Sequence, residues 1–128
     1  MPLKTEIEEK KPGLYQVSLD GRLDTDTSKD LEKSLESILA KEVRAVRFEL
    51  SNLVYISSMG IRVLFKTFRA LKQKRAMFHM VGVQPQIRKV LDIAQALPPE
   101  TVFASVQEAD DYFDAMQRKA LGQDADGG

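Results

Sequence analysis

The sequence predicts an α/β domain: a mixed β-sheet of four to five strands, opening with an N-terminal hairpin, with about four α-helices packed on it. Three observations lead there. Two β-rich stretches at the start are separated by the turn signal Lys11-Pro12-Gly13. Apolar residues then recur at helical spacing in several later windows. Short apolar runs of strand length lie between those windows, and such alternation favours parallel strands joined by right-handed crossovers.

Leu3 to Glu8 forms a weakly patterned first strand, and Leu14 to Leu19 a second, richer in β-formers and closed by Asp20-Gly21. The first helix follows Leu23. Asp24, Thr25, Asp26 and Thr27 are all N-cap residue types, and Leu31, Leu35, Ile38 and Leu39 then share one helical face. Val46, Phe48 and Leu50 alternate with Ala45, Arg47 and Glu49, so Val43 to Leu50 reads as a central strand that Ser51-Asn52 turns away. A second helix starts near Gly60 and ends near Lys74, with Ile61, Leu64, Phe65, Phe68 and Leu71 as its apolar side.

Ala76 to Val83 is short and largely apolar, the pattern of a strand buried on both faces, with Met77, His79 and Met80 as packing residues. Pro85 suits the first turn of a third helix that buries Ile87, Val90, Leu91 and Ala94 and ends at Pro98-Pro99. Val102-Phe103 predicts one last short strand. Ser105-Val106-Gln107-Glu108 has capping-box spacing for a fourth helix with Ala109, Phe113 and Met116 at its core. Residues 1–119 thus read as one domain and residues 120–128 as a polar, Gly-rich disordered tail.

Composition narrows the function. Nineteen basic residues balance nineteen acidic ones, which removes any long-range bias toward nucleic acid or anionic membrane. There is no cysteine, so disulfides, thiolate metal sites and cysteine nucleophiles are excluded. One histidine and no paired-carboxylate motif argue against a catalytic metal. A hydrolase elbow needs glycine two residues before its serine, where Ile56 precedes Ser58, and Gly82 stands alone rather than in a phosphate loop. The apolar stretches are too short to span a bilayer. The expectation is a cytoplasmic, monomeric, non-enzymatic protein with no cofactor, no nucleic-acid partner and no membrane insertion.

The most unusual segment is Val54-Tyr55-Ile56-Ser57-Ser58-Met59-Gly60, a strand end, two serines and a helix start. First-turn amides of a helix lack intrahelical partners, so a serine there can cap the helix, and a phosphate there meets free N–H groups and a favourable dipole. Taken alone, the segment is compatible with both roles.

The stretch from Glu49 to Leu64, Glu49-Leu50-Ser51-Asn52-Leu53-Val54-Tyr55-Ile56-Ser57-Ser58-Met59-Gly60-Ile61-Arg62-Val63-Leu64, resembles the signature of the STAS family, D-L-S-x-L-x-x-I-D-S-[SA]-G-L-x-x-L. Gly21-Arg22-Leu23-Asp24 resembles the family's other familiar segment, and the element order is similar over about residues 3 to 118. The resemblance implies an anti-sigma-factor antagonist, phosphorylated at Ser58 by an anti-sigma-factor serine/threonine kinase and restored by a cognate phosphatase. Only the unmodified form would capture the kinase. Ser57 stands where the family carries an acid, which makes it a second candidate acceptor; Met59 replaces a small residue, and Glu49 an aspartate.

The resemblance also places Asp24 near the kinase-binding surface, although as a residue type it is equally suited to cap a helix. Arg62, Lys66 and Arg69 fall at i, i+4 and i+7, a basic stripe suited either to solvent or to an acidic partner. The expected partner surface is therefore Asp24, Ser57, Ser58, Met59, Gly60, Arg62, Lys66 and Arg69. The alternative is a non-phosphorylated STAS adaptor subunit of a membrane transport or signalling complex; hydrolytic use of Ser58 ranks last.

Overall fold

A computed structural model describes residues 3–96 and 106–122. Its elements are β1 (Lys4–Lys11), β2 (Leu14–Leu23), α1 (Thr25–Leu39), β3 (Ala45–Ile56), α2 (Ser58–Gln73), β4 (Met77–Val81), α3 (Pro85–Ala96) and α4 (Val106–Ala120). The strands form one mixed sheet in the order β1-β2-β3-β4. The opening hairpin is antiparallel, and β2, β3 and β4 run parallel. Val102-Phe103, Ser105, and residues 123–128 of the expected tail lie outside the described residues.

Helices cover one face of this sheet. Tyr15, Val17 and Leu19 of β2 and Val46, Phe48 and Leu50 of β3 are buried beneath them, as their period of two requires. Above lie Leu31, Leu35 and Ile38 of α1, Ile61, Val63, Leu64 and Leu71 of α2, and Ile87, Val90, Leu91 and Ala94 of α3. Each of the Val, Leu, Ile and Phe side chains among them contributes about 1.5–3 kcal/mol on burial. The ends of these strands, and so the loops that follow them, are fixed by the best-packed part of the molecule.

The opposite face carries no described helix, and this changes the reading of β4. Its exposure alternates: Phe78 and Met80 point inward, while Met77, His79 and Val81 point out. Neither Met77 nor His79 is a packing residue. An apolar run this short looks the same at the edge of a one-sided sheet as in a strand buried on both faces. Phe68 likewise leaves the core and is 44% exposed, stacking edge-on against Phe78 with ring centroids 5.5 Å apart. Thr67 takes the buried position, its hydroxyl donating to the Val63 carbonyl at 2.8 Å.

Two apparent turns prove to be strand. Asp20-Gly21 does not end β2, and Ser51-Asn52 does not end β3; Asp20 pairs with Asn52 and Gly21 with Leu53 inside an irregular stretch of the ladder. Gly21 adopts φ +116°, which accommodates the bulge, and both strands then continue to Leu23 and Ile56.

Helix α2 ends in a Schellman motif. The Arg75 N–H bonds to the Lys72 carbonyl at 3.0 Å and the Ala76 N–H to the Leu71 carbonyl at 2.8 Å. Arg75, at φ +58°, occupies the left-handed position usually given to glycine.

Candidate functional site

The site grows out of one register pair. Leu23 and Ile56 are partners at the ends of parallel β2 and β3, so the next residues, Asp24 and Ser57, leave the sheet side by side. Each becomes the N-cap of the helix that follows. The Ser57 N–H donates to the Leu23 carbonyl at 2.8 Å and ties the two exits together.

Asp24 takes part in a full capping box. Its carboxylate accepts from the Thr27 N–H at 2.9 Å, and its own N–H donates to the Thr27 hydroxyl at 2.9 Å. The backbone hydrogen bond from Thr27, aided by the Thr27 hydroxyl and the nearby Arg22 charge, holds the carboxyl below the usual aspartate range. Of the four N-cap residue types that sequence offered, Asp24 is the cap.

The two serines do different work. Ser57 has extended backbone angles, φ −91° and ψ 173°, and its Oγ accepts from the Gly60 N–H at 3.2 Å. Ser58 is the first residue of α2, two positions before the start near Gly60 that the sequence suggested. Both are buried, Ser57 at 2% and Ser58 at 6% exposure, while Met59 is half-buried. Gly60 is required for space rather than for backbone angle: a Cβ there would lie 2.8 Å from Leu23 Cγ and 2.9 Å from Ile56 Cγ1.

The basic stripe is only partly free. Lys66 pairs with Glu32 of α1, which raises its pKa, so this cation braces the two helices together. Arg62 and Arg69 are exposed and make no ion pair with a described residue. The structure thus brings Asp24, Ser57, Ser58, Met59 and Gly60 to one edge. Arg62 lies a turn along α2 from Ser58, and Lys66 and Arg69 lie farther along the same helix.

Two features escaped the sequence. Arg22 lies over the Tyr55 ring, 3.9 Å from its centroid, where the bulge has made them register partners. The second concerns the far edge of β3. Strand β4 reaches only as far as Glu49 of β3, so the backbone beyond lacks a strand partner on that side. Glutamine side chains supply one. Gln84 donates to the Ser51 carbonyl at 2.7 Å, Gln86 to the Val54 carbonyl at 3.4 Å, and Gln117 of α4 both accepts from the Ile56 N–H at 3.0 Å and donates to its carbonyl at 2.8 Å. An amide copies the donor and acceptor of a peptide, which is why glutamine suits the role. A hydrophobic pattern carries no trace of it, and only the otherwise unexplained polar position beside Met116 could have hinted at Gln117.

Among the described residues no cluster of His, Asp or Glu could hold a metal, and no helix is long and apolar enough to cross a membrane. What the arrangement offers is a tightly seated pair of helix starts with hydroxyls and a methionine at one sheet edge.

A family model for the STAS domain matches residues 7–109. An anti-sigma-B factor antagonist of Staphylococcus epidermidis is 30% identical over 79 residues, covering 62% of this chain and 73% of the relative. Among solved structures, the anti-sigma factor antagonist SpoIIAA in its unphosphorylated form aligns with a TM-score of 0.67 at 18% identity, covering 88% of this chain and 97% of that one. The Bacillus cell fate determinant SpoIIAA in the phosphorylated form aligns with a TM-score of 0.64 at 16% identity, over 71% and 83% of the two chains. The four-stranded mixed sheet with its opening hairpin and helices is the fold these structures share.

Proposed function

The chain belongs to the STAS domain family, and from that premise we propose that it is an anti-sigma-factor antagonist, a partner-switching regulator of transcription rather than an enzyme. Its unphosphorylated form binds an anti-sigma-factor serine/threonine kinase in the cytoplasm, as a monomer. Phosphorylation at Ser58 releases it, and a cognate phosphatase resets it.

The observation that carries this reading is the division of labour between the serines. The Ser57 hydroxyl is engaged as the cap of α2, so a phosphate on Ser57 would remove that cap. Ser58 stands at the first helical position, where a phosphate meets first-turn N–H groups and the positive end of the dipole. The modification adds about −1.5 to −2 charges. It would do so one turn before Arg62 and on the edge it shares with Asp24, altering the electrostatics a partner reads while the sheet stays intact. Ser58 is only 6% exposed, so a kinase reaches it once the first turn of α2 opens locally. The name of the Staphylococcus epidermidis relative, an anti-sigma-B factor antagonist, supports the same reading.

That burial also favours a second reading, in which the serine stays unmodified and the domain is a STAS adaptor subunit of a membrane transport or signalling complex. A pull-down from native cell extract with wild type, Ser58→Ala and Ser58→Glu as baits separates the two. Recovery of a kinase by wild type and Ser58→Ala, but not by Ser58→Glu, is the phosphoswitch result. Equal recovery of one partner by all three baits is the adaptor result and overturns the switch.

A further inference from the structure

The end of the sheet opposite the serines carries a second concentration of charge. Lys11, Arg44, Arg47, Lys74, Arg75 and His79 surround an open concavity of about 890 Å³ where β2, β3 and β4 begin, and no carboxylate lines it. The ion pairs among the described residues are Lys4–Glu6, Lys10–Glu8 and Lys66–Glu32, so none of these five Lys and Arg residues is neutralised by a described carboxylate. Arg47 turns instead to a neutral partner, its Nε and Nη2 lying 3.1 and 2.7 Å from the Gln16 amide oxygen.

Such a cluster opposes folding through self-repulsion. Arg75 adds a cost of its own, since a left-handed φ of +58° disfavours any residue with a Cβ. Glycine would be the ordinary choice at that Schellman position, and an arginine stands there, lining the same concavity as its basic neighbours. Two separate costs to stability thus fall on one small surface. Backbone outliers of this kind gather where a binding surface needs them. The same surface includes Leu14 and Met77, and Met77 is 58% exposed.

We propose that this concavity docks an acidic segment of a partner protein, one whose carboxylates are interspersed with apolar side chains. Charge complementarity sets the acidic character, and Leu14 and Met77 call for the apolar component. The concavity is open, so a small phosphorylated ligand would stay largely in water, unlike the ligand of an enclosed pocket. A bilayer is flat and would meet the rim cations before the recess, and duplex nucleic acid has no apolar side chains to offer Leu14 and Met77. The surface is independent of the serine loop: β3 separates the two with 12 residues, roughly 35 Å at strand rise.

The test is fluorescence anisotropy with a labelled short peptide of alternating Asp and Leu, at low and at physiological salt. Wild type is compared with Arg75→Gly and with the triple variant Lys11→Gln/Lys74→Gln/Arg75→Gly. Arg75→Gly relieves the left-handed backbone, so weaker binding by that variant cannot come from a damaged fold; urea unfolding verifies this. The expected result is binding by wild type that weakens with salt, falls about twofold to fivefold in Arg75→Gly, and falls about tenfold or more in the triple variant. Wild type that ignores the peptide at low salt, or variants that bind as wild type does, overturn the proposal. So does a preference, at equal salt, for phosphatidylserine-containing vesicles or a short DNA duplex over the peptide.

Discussion

Leu23 and Ile56, the last register partners of β2 and β3, close on a single point, the Cα of Gly60. Their side chains leave no room for a methyl group, and the first turn of α2 is seated by that contact. Replacing Gly60 with alanine sets two effects against each other. Alanine favours the helix by about 1 kcal/mol, while forcing a methyl into a filled core costs about 1–3 kcal/mol. With contacts at 2.8 and 2.9 Å against side chains that are themselves fully buried, we expect the steric term to win. Gly60→Ala should be less stable by up to about 2 kcal/mol in urea unfolding, and an unchanged or higher midpoint would refute the packing argument.

Ser57 should behave as a cap. Ser57→Ala should lose about 1 kcal/mol, and Ser57→Asp, whose carboxylate caps as well and suits the dipole, should retain it. Denaturant midpoints for the two variants measured side by side check this, and equal loss in both would show that the hydroxyl does more than cap.

Removing Gln117 strands two backbone groups. Gln117→Ala leaves the Ile56 N–H and carbonyl without their side-chain partner, and each buried group so orphaned costs about 1–3 kcal/mol, giving an expected loss of about 2–6 kcal/mol. Gln117→Glu is the sharper variant. An ionised carboxylate still accepts from the Ile56 N–H but cannot donate to its carbonyl, so the loss should shrink as acid protonates the new side chain. Hydrogen exchange at the Ile56 amide reports the same seal directly, and protection equal to wild type in Gln117→Ala would count against it.

Asp24 gives a pH dependence with a definite sign. Its carboxyl is held below the ordinary value of about 3.9 by the Thr27 backbone hydrogen bond, so the charged form is favoured in the folded state. The stabilisation is therefore complete above the unfolded value and disappears as pH falls through the lower folded value. Asp24→Asn keeps a capping side chain without the charge. It should be less stable than wild type at neutral pH and converge with it in acid, as read from urea unfolding at several pH values. A gap that stayed constant with pH would remove the charge from the account.

The helices were legible in the sequence because one-sided burial writes itself as a period of 3.6, as the buried Leu31, Leu35 and Ile38 illustrate. The serine segment was legible because residue order alone puts Ser57 and Ser58 at the start of α2. What the sequence hid was set by distant partners. Asp20-Gly21 and Ser51-Asn52 each look like turns, and they remain strand because each is the other's neighbour in the ladder. Met77 and His79 read as buried until the open face of the sheet is seen. Lys66 looked like a free cation, yet its carboxylate partner lies 34 residues away on another helix. Asp24, on the other hand, needs only its own next three residues, and its capping role was readable locally.

The Gln117 seal also has a consequence in time. Ile56 and Gln117 are 61 residues apart, and a ribosome adding about 5–20 residues per second takes roughly 3–12 s to travel between them. The hairpin and the β2–β3 pairing can form in that interval, but the backbone beneath the two serines has no partner on its far edge until α4 emerges. A nascent chain that already holds its sheet therefore still lacks the finished serine loop, which matures only once α4 has been made.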